Sequence, residues 1–312
     1  MKYAHLLMYA ASRTWAMDPD KLTAMLAALK IKAQGGDLEF DAEPDNGGVH
    51  YLANNAKVTP GKAASIAGAS GSVAVLPVRG VLTHRMGSLQ ESSGNTTYER
   101  LGSELRQLKN NDAVKAIVLD INSPGGVTDG VVELAAELRG LRGGKPIVGS
   151  VNATAASAAY WIAAQLDDVA VTPSGSVGSI GVWTLHEDVS AYLEQLGVKD
   201  LLISAGKYKV EGNPYEPLSE EAKAAIQADV DAFHGMFIDD VAAGRGVATS
   251  VVREQFGQGR MVLAADAVKR GMADRVASLE ETLNRYGATL HGGASAPTRA
   301  RAARMAIRRM GG

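Results

Sequence analysis

From Val73 onward the chain alternates two hydrophobic rhythms. Unbroken apolar runs, "VAVLPVRGVL", "AIVLDIN", "PIVGSVN", "DVAVTP" and "DLLISAG", have the length and the bounding turn residues of buried strands. Between them "TTYERLGSELRQLKNN" and "VTDGVVELAAELRGLR" repeat apolar residues three and four apart, which predicts amphipathic helices. Further helices are expected from about Ala155, around "HEDVSAYLEQLG" and along "SEEAKAAIQADVDAFHGMFIDDVAAGRG", with a short helix and closing strand in "ADAVKRGMADRVAS". Strand and helix in turn predict an α/β fold, a mainly parallel sheet covered by helices.

The rhythm weakens at both ends. Residues 1–71 read as an N-terminal arm: a helix near 18–33, opened by Asp18 before Pro19, then polar, Gly-rich and partly flexible chain. Residues 72–280 read as the main domain and 281–312 as a polar, flexible tail. That tail ends in "APTRARAARMAIRRMGG", five of whose arginines fall in the last fourteen residues, so it is either solvated or a handle for an acidic partner.

Charge and composition then exclude several classes. With 32 Lys+Arg against 34 Asp+Glu there is no overall electrostatic reason to expect nucleic acid or an anionic membrane. The absence of cysteine excludes disulfides, thiolate nucleophiles and Cys-ligated metals. The apolar run near the N-terminus is short for a signal-peptide core, and the uncharged Pro146–Leu166 stretch divides into a strand and a helix, so no membrane segment is expected.

Four short stretches carry candidate chemistry. "LDINSPGGVTDG" ends a strand in Pro124-Gly125-Gly126, where bare N–H groups could face an oxyanion, although such turns also use glycine for purely steric reasons. "NATAASAAYW" puts Ser157 among alanines at a second strand-to-helix turn. There it is either a cap or a nucleophile with room for a substrate backbone, and the Ala158 N–H is a second oxyanion donor. Tyr160 and Trp161 behind it either line a specificity pocket or anchor the helix. "SGSVGSIGV" has glycines at 175, 178 and 181, which do not fit a dinucleotide-binding pattern, and offers hydroxyls that could orient a base.

The base itself is the hardest piece. None of His5, His50, His84, His186, His234 and His291 stands in a recognisable triad setting. "SAGKYKVEGNPYEPLSEE" offers Lys207 and Lys209 instead, and if the preceding strand continues, both face the same side, so spacing does not choose between them. An exposed lysine is only about 0.1% neutral at pH 7.4, so either needs a lowered pKa to accept a proton.

In this order, "SPGG", "ASAAYW", "GSVGSIGV" and "GKYKVEGNPYEPLSEE" resemble the signal peptide peptidase A (protease IV) family of serine-lysine peptidases, over roughly residues 72–280. The resemblance implies a ClpP/crotonase-like fold, Ser157 as nucleophile, Lys209 as general base with Lys207 as a neighbour, and Ser179 as the hydroxyl that orients the lysine. It places the oxyanion between the N–H groups of Gly126 and Ala158, and it needs no metal or organic cofactor. Without an evident anchor, and with the opening "HLLMYAASRTWAM", the chain looks most like the phage head maturation proteases of that family. That implies scaffold or capsid protein as substrate, self-cleavage, and a homo-oligomer with active sites near subunit interfaces, in the host cytoplasm within the prohead. Competing readings are a soluble bacterial protease of the signal-peptide-peptidase type, a non-catalytic capsid or scaffold-binding protein, and a crotonase-like enzyme acting on acyl-CoA.

Overall fold

The computed structural model describes residues 13–19, 23, 50–52, 72–85 and 96–288. Its strands are β1 (Trp15–Met17), β2 (His50–Leu52), β3 (Ser72–Arg79), β4 (Val114–Ser123), β5 (Gly125–Val127), β6 (Ile147–Ala156), β7 (Asp168–Val171), β8 (Ser176–Gly178), β9 (Met261–Leu263) and β10 (Arg275–Val276). Its helices are α1 (Tyr98–Lys109), α2 (Val131–Gly140), α3 (Ala158–Ala163), α4 (Ser190–Gln195), α5 (Glu220–Arg245), α6 (Thr249–Gln255), α7 (Ala264–Lys269) and α8 (Leu279–Arg285).

The main sheet runs β10-β7-β6-β4-β3-β2, parallel throughout except for the antiparallel β2–β3 pair. Along β3 and β4 successive side chains serve two cores. Ala74, Leu76, Ile117 and Leu119 join the larger one with α1, α2, α3 and α5, while Val73, Val75, Ala116 and Val118 pack with Leu283 of α8 on the opposite face. Burial on both faces is why these strands read as unbroken apolar runs rather than as alternation.

The feature that creates a site is a fork in β6. Ile147–Val151 lies between β4 and β7, but Thr154–Ala156 leaves β7 and pairs with β8, which in turn pairs antiparallel with β9. The sheet therefore splits at the carboxyl ends of its strands, the place where open α/β sheets form crevices.

Two expectations change. "DLLISAG" forms no strand: Leu201 and Ile203 are 81% and 89% exposed, because no strand of the described chain offers them a ladder. The body also runs past residue 280. Ser278 and Glu281 form a capping box that starts α8, and Leu283 is fully buried. In the arm, Trp15–Met17 is a strand, and Pro19 and Thr23, within the expected helix, are helical. The arginine-rich end, the apolar N-terminal run and the Gly-rich stretches of the arm lie outside the described residues. Among the described residues no helix is long and apolar enough to cross a membrane.

Candidate active site

Ser157 sits where β6 ends and α3 begins, with φ 53° and ψ −118°. An L-residue held there costs about 1–3 kcal/mol, and glycine would adopt it more easily. The conformation is imposed from both sides. The Ser157 N–H donates to the Gly178 carbonyl at 2.7 Å, and the Ser157 carbonyl accepts the first α3 bond from Trp161 N–H at 2.8 Å. The side chain is buried and caps nothing; its Oγ donates only to the Gly181 carbonyl, at 3.3 Å. The helix-cap reading of this serine is therefore set aside.

Trp161 and Tyr160 anchor the turn rather than lining a pocket. Trp161 stacks on Phe237 with ring centroids 4.2 Å apart and donates through Nε1 to Asp240 at 2.7 Å; Asp240 is also ion-paired with Arg139 at 2.7 Å. Tyr160 donates to the Met272 carbonyl at 2.9 Å, and burial pushes its phenol up, out of reach of proton transfer. Close approach completes the clamp: a Cβ on Gly244 of α5 would collide with the Ala164 carbonyl.

The Pro-Gly-Gly turn reaches the same place. Gly125 has φ +98°, and a Cβ there would lie 2.9 Å from the Ala156 carbonyl oxygen and 3.1 Å from the Ala158 nitrogen. A Cβ on Gly126 would strike the Leu82 carbonyl. The steric reading and the N–H reading of these glycines thus hold together: only bare backbone packs this tightly beside the start of α3. Ser123 Oγ fixes the turn by accepting from Gly125 N–H at 3.2 Å and donating to the Gly80 carbonyl at 2.7 Å.

Ser179 follows Gly178, which pairs with Ala156 beside Ser157; it is nearly buried, has φ 52°, and its N–H donates to the Arg260 carbonyl at 3.0 Å. The structure therefore gathers Ser157, Ala158, Ser179 and the Gly125-Gly126 turn at the fork. Gly178 and Gly181, whose carbonyls hold the Ser157 N–H and hydroxyl, carry no such role in the reading of the sequence. Their spacing in "SGSVGSIGV" was the available signal.

The lysines stand apart from this cluster. Lys207 is held by Glu221 at 2.9 Å and by the Tyr208 hydroxyl at 2.7 Å, and these bonds, the tyrosine first, raise its pKa, the wrong direction for a base. Lys209 lies in the turn after Gly206, to whose carbonyl its N–H donates at 3.2 Å; its side chain is exposed and makes no ion pair with a described residue. No hydrogen bond joins it to Ser157 within the chain. Of the histidines, His234 lines a cavity of about 490 Å³ that adjoins Gly181 and is also walled by Ile180, Val182, Val230 and Ile238. Burial, and then repulsion from Arg253, lowers the His234 pKa. Among the described residues no His/Asp/Glu group is arranged to hold a metal.

A buried serine in a forced turn thus lies beside two glycine-lined backbone turns at the split end of a mainly parallel α/β sheet. The model of "Peptidase family S49" matches residues 139–290, and the chain belongs to that family. It is 34% identical over 212 residues to "Head-tail preconnector protein GP5" of Enterobacteria phage P21, covering 68% of this chain and 42% of that protein. It is 33% identical over 211 residues to "Capsid assembly protease C" of Escherichia phage lambda, covering 68% and 48%. "Protease 4" of Haemophilus influenzae is 28% identical over 214 residues, covering 68% and 34%. The chain thus spans about half the length, or less, of these relatives. Among solved structures, "1510-N membrane protease specific for a stomatin homolog from Pyrococcus horikoshii" is similar at 17% identity and a TM-score of 0.40, covering 68% of this chain and 76% of that one, an overlap on which nothing further rests.

Proposed function

We propose that the protein is a serine endopeptidase working as an assembly of identical chains, with Ser157 as nucleophile and Lys209 of a neighbouring copy as general base. The observation that carries the reading is the Ser157 backbone. A conformation that favours glycine is spent on a side chain that caps no helix and keeps only one long bond to a carbonyl. In the reaction Ser157 Oγ attacks a peptide carbonyl while its proton passes to the Lys209 amine, and the oxyanion settles between the Gly126 and Ala158 N–H groups. The protonated lysine then gives its proton to the leaving amine, and a water activated by the same amine hydrolyses the acyl-enzyme. Ser179 Oγ orients the amine.

Two features favour a base from another copy. Lys209 is exposed within the chain, and it follows a stretch whose apolar side chains face solvent: Leu196, Leu201, Ile203 and Tyr208 are all exposed. Covering that stretch with a second copy desolvates the amine and lowers its pKa. The substrate we propose is scaffold or capsid protein inside a phage prohead in the host cytoplasm, supported by the names of the phage relatives.

Fluorophosphonate labelling of the purified assembly, followed by peptide mapping, tests the chemistry. Label on Ser157 that disappears in Ser157→Ala is expected; label that persists on another serine overturns the assignment. Co-expression with the scaffold protein tests the biology: scaffold left whole by Lys209→Ala is expected, and normal scaffold removal by that variant rules Lys209 out.

A further inference from the structure

The first described residues enter the body and occupy the crevice. β1 lies antiparallel to β5, with Trp15 opposite Val127, Ala16 opposite Gly126 and Met17 opposite Gly125. On its other edge Trp15 exchanges both backbone hydrogen bonds with Trp183, at 2.8 and 3.0 Å. The strand is thus sandwiched between two edges, as an extended peptide added to a sheet is. It is fastened along its length. Thr128 N–H donates to the Thr14 carbonyl at 3.2 Å, Asp18 N–H to the Pro124 carbonyl at 2.9 Å, and Trp183 Nε1 to the Met17 carbonyl at 3.0 Å. Arg13 pairs with Asp129 at 2.5 Å, and Trp15, Ala16 and Met17 are each at most 2% exposed.

The register sets Ala16 at the reacting centre. Because Trp15 turns both its backbone groups to Trp183, the alternation of an antiparallel ladder turns those of Ala16 to Gly126. A Cβ on Gly125 would strike the Ala16 carbonyl oxygen, and the same point lies 3.1 Å from the Ala158 nitrogen. The Ala16 carbonyl therefore sits beside the two N–H groups assigned to the oxyanion.

We propose that residues 13–18 are a resident pseudosubstrate: the chain lays its own extended segment where a substrate strand binds, with the Ala16 carbonyl at the oxyanion position, and turnover requires that segment to leave. The identity of the crevice as a peptide site rests on the function proposed above. The occupant competes with substrate, so the apparent affinity for substrate falls by the fraction of molecules in which the strand is out. With the lysine unbonded to Ser157 in the single chain, the Ala16–Met17 bond stays whole while the strand is in place.

The cysteine-free chain makes the test direct, since any disulfide is an introduced one. Thr14→Cys with Thr128→Cys ties the strand to the residue after β5, at an antiparallel spacing that a disulfide spans. Oxidised, this variant is expected to lose peptide turnover about tenfold or more relative to its reduced form, and Trp15→Ala, which loosens the strand, to raise kcat/KM several-fold, mainly through KM. Equal turnover in the oxidised and reduced forms, with Ser157 still labelled by fluorophosphonate, makes the strand a permanent wall and overturns this proposal alone. If the reduced double variant is itself inactive, Trp15→Ala decides, and a fall in its kcat/KM overturns the proposal. No label on Ser157 in the wild type or any variant overturns the peptidase reading and this proposal with it.

Discussion

The turn from β6 into α3 and the segment from α4 to the start of α5 are built on opposite principles. Around Ser157 nearly every neighbouring side chain is buried, and the turn is held by Gly178, Trp161, Asp240 and Met272. Around Lys209 the chain is irregular: Leu201 is 81% and Ile203 89% exposed, and the nearest ordered polar cluster, Lys207-Tyr208-Glu221, lies at the surface. In the dyad proposed above, the serine half is finished inside a single chain and the lysine half is not. A nucleophile must be fixed in angle, which needs a packed frame, whereas a lysine base must be desolvated, which a surface segment achieves only against another surface.

The sharpest break of this contrast is chemical. Ser157→Ala is expected to lower kcat by about 10⁴-fold or more while leaving the melting temperature near that of the wild type, read by peptide hydrolysis and circular dichroism. Lys209→Ala should match that loss and Lys207→Ala should not, and mixing inactive Ser157→Ala and Lys209→Ala chains should restore part of the activity if the two groups meet across copies. Restoration that fails while both variants still assemble would place the pair within one chain.

Stability divides the two regions next. Trp161→Ala, which empties the stack on Phe237 and leaves Asp240 without its indole partner, should cost about 3–5 kcal/mol in denaturant unfolding. Ile203→Asp in the exposed segment should cost less than about 0.5 kcal/mol in a single chain. Its effect belongs instead to mass, with sedimentation shifting toward smaller species; unchanged oligomers would deny that segment an interface role.

The smallest effect expected concerns pH. Burial alone would raise the Asp274 carboxyl, but its bonds to Arg245, the Arg245 charge and the Val169 N–H outweigh burial and hold it below the usual range. A depressed carboxyl stabilises the fold above the unfolded value, about pH 3.9, and that contribution is lost as pH falls through the folded value. Because the pair is partly open to solvent, the loss should stay under about 1 kcal/mol. Asp274→Asn should flatten that part of the acid unfolding curve.

Much of the body was legible in the chain because the relevant signals are local. Strands buried on both faces read as apolar runs, α5 shows its Ser219 cap, and the Gly and Ala positions at 125, 126 and 158 mark where backbone must pass close to backbone. The Ser278-Glu281 capping box was equally readable, yet the polar residues after it masked the burial of Leu283. "DLLISAG" misled because its apolar pattern records a need for cover and not the identity of what covers it.

The sequence by itself determined the α/β order of elements and the small-residue turns, since each is written in residue type and short spacing; the serine-lysine pairing is what the resemblance of its ordered motifs to the signal peptide peptidase A family implies. Only the tertiary structure decided that Ser157 is held at φ 53°, that Tyr160 and Trp161 are anchors, that Lys207 is tied to Glu221, and that Trp15–Met17 lies in the crevice. The physical reason is common to all four. Each depends on groups far apart in the chain, such as Trp15 with Val127 and Trp183, or Trp161 with Asp240, whose meeting no local pattern encodes.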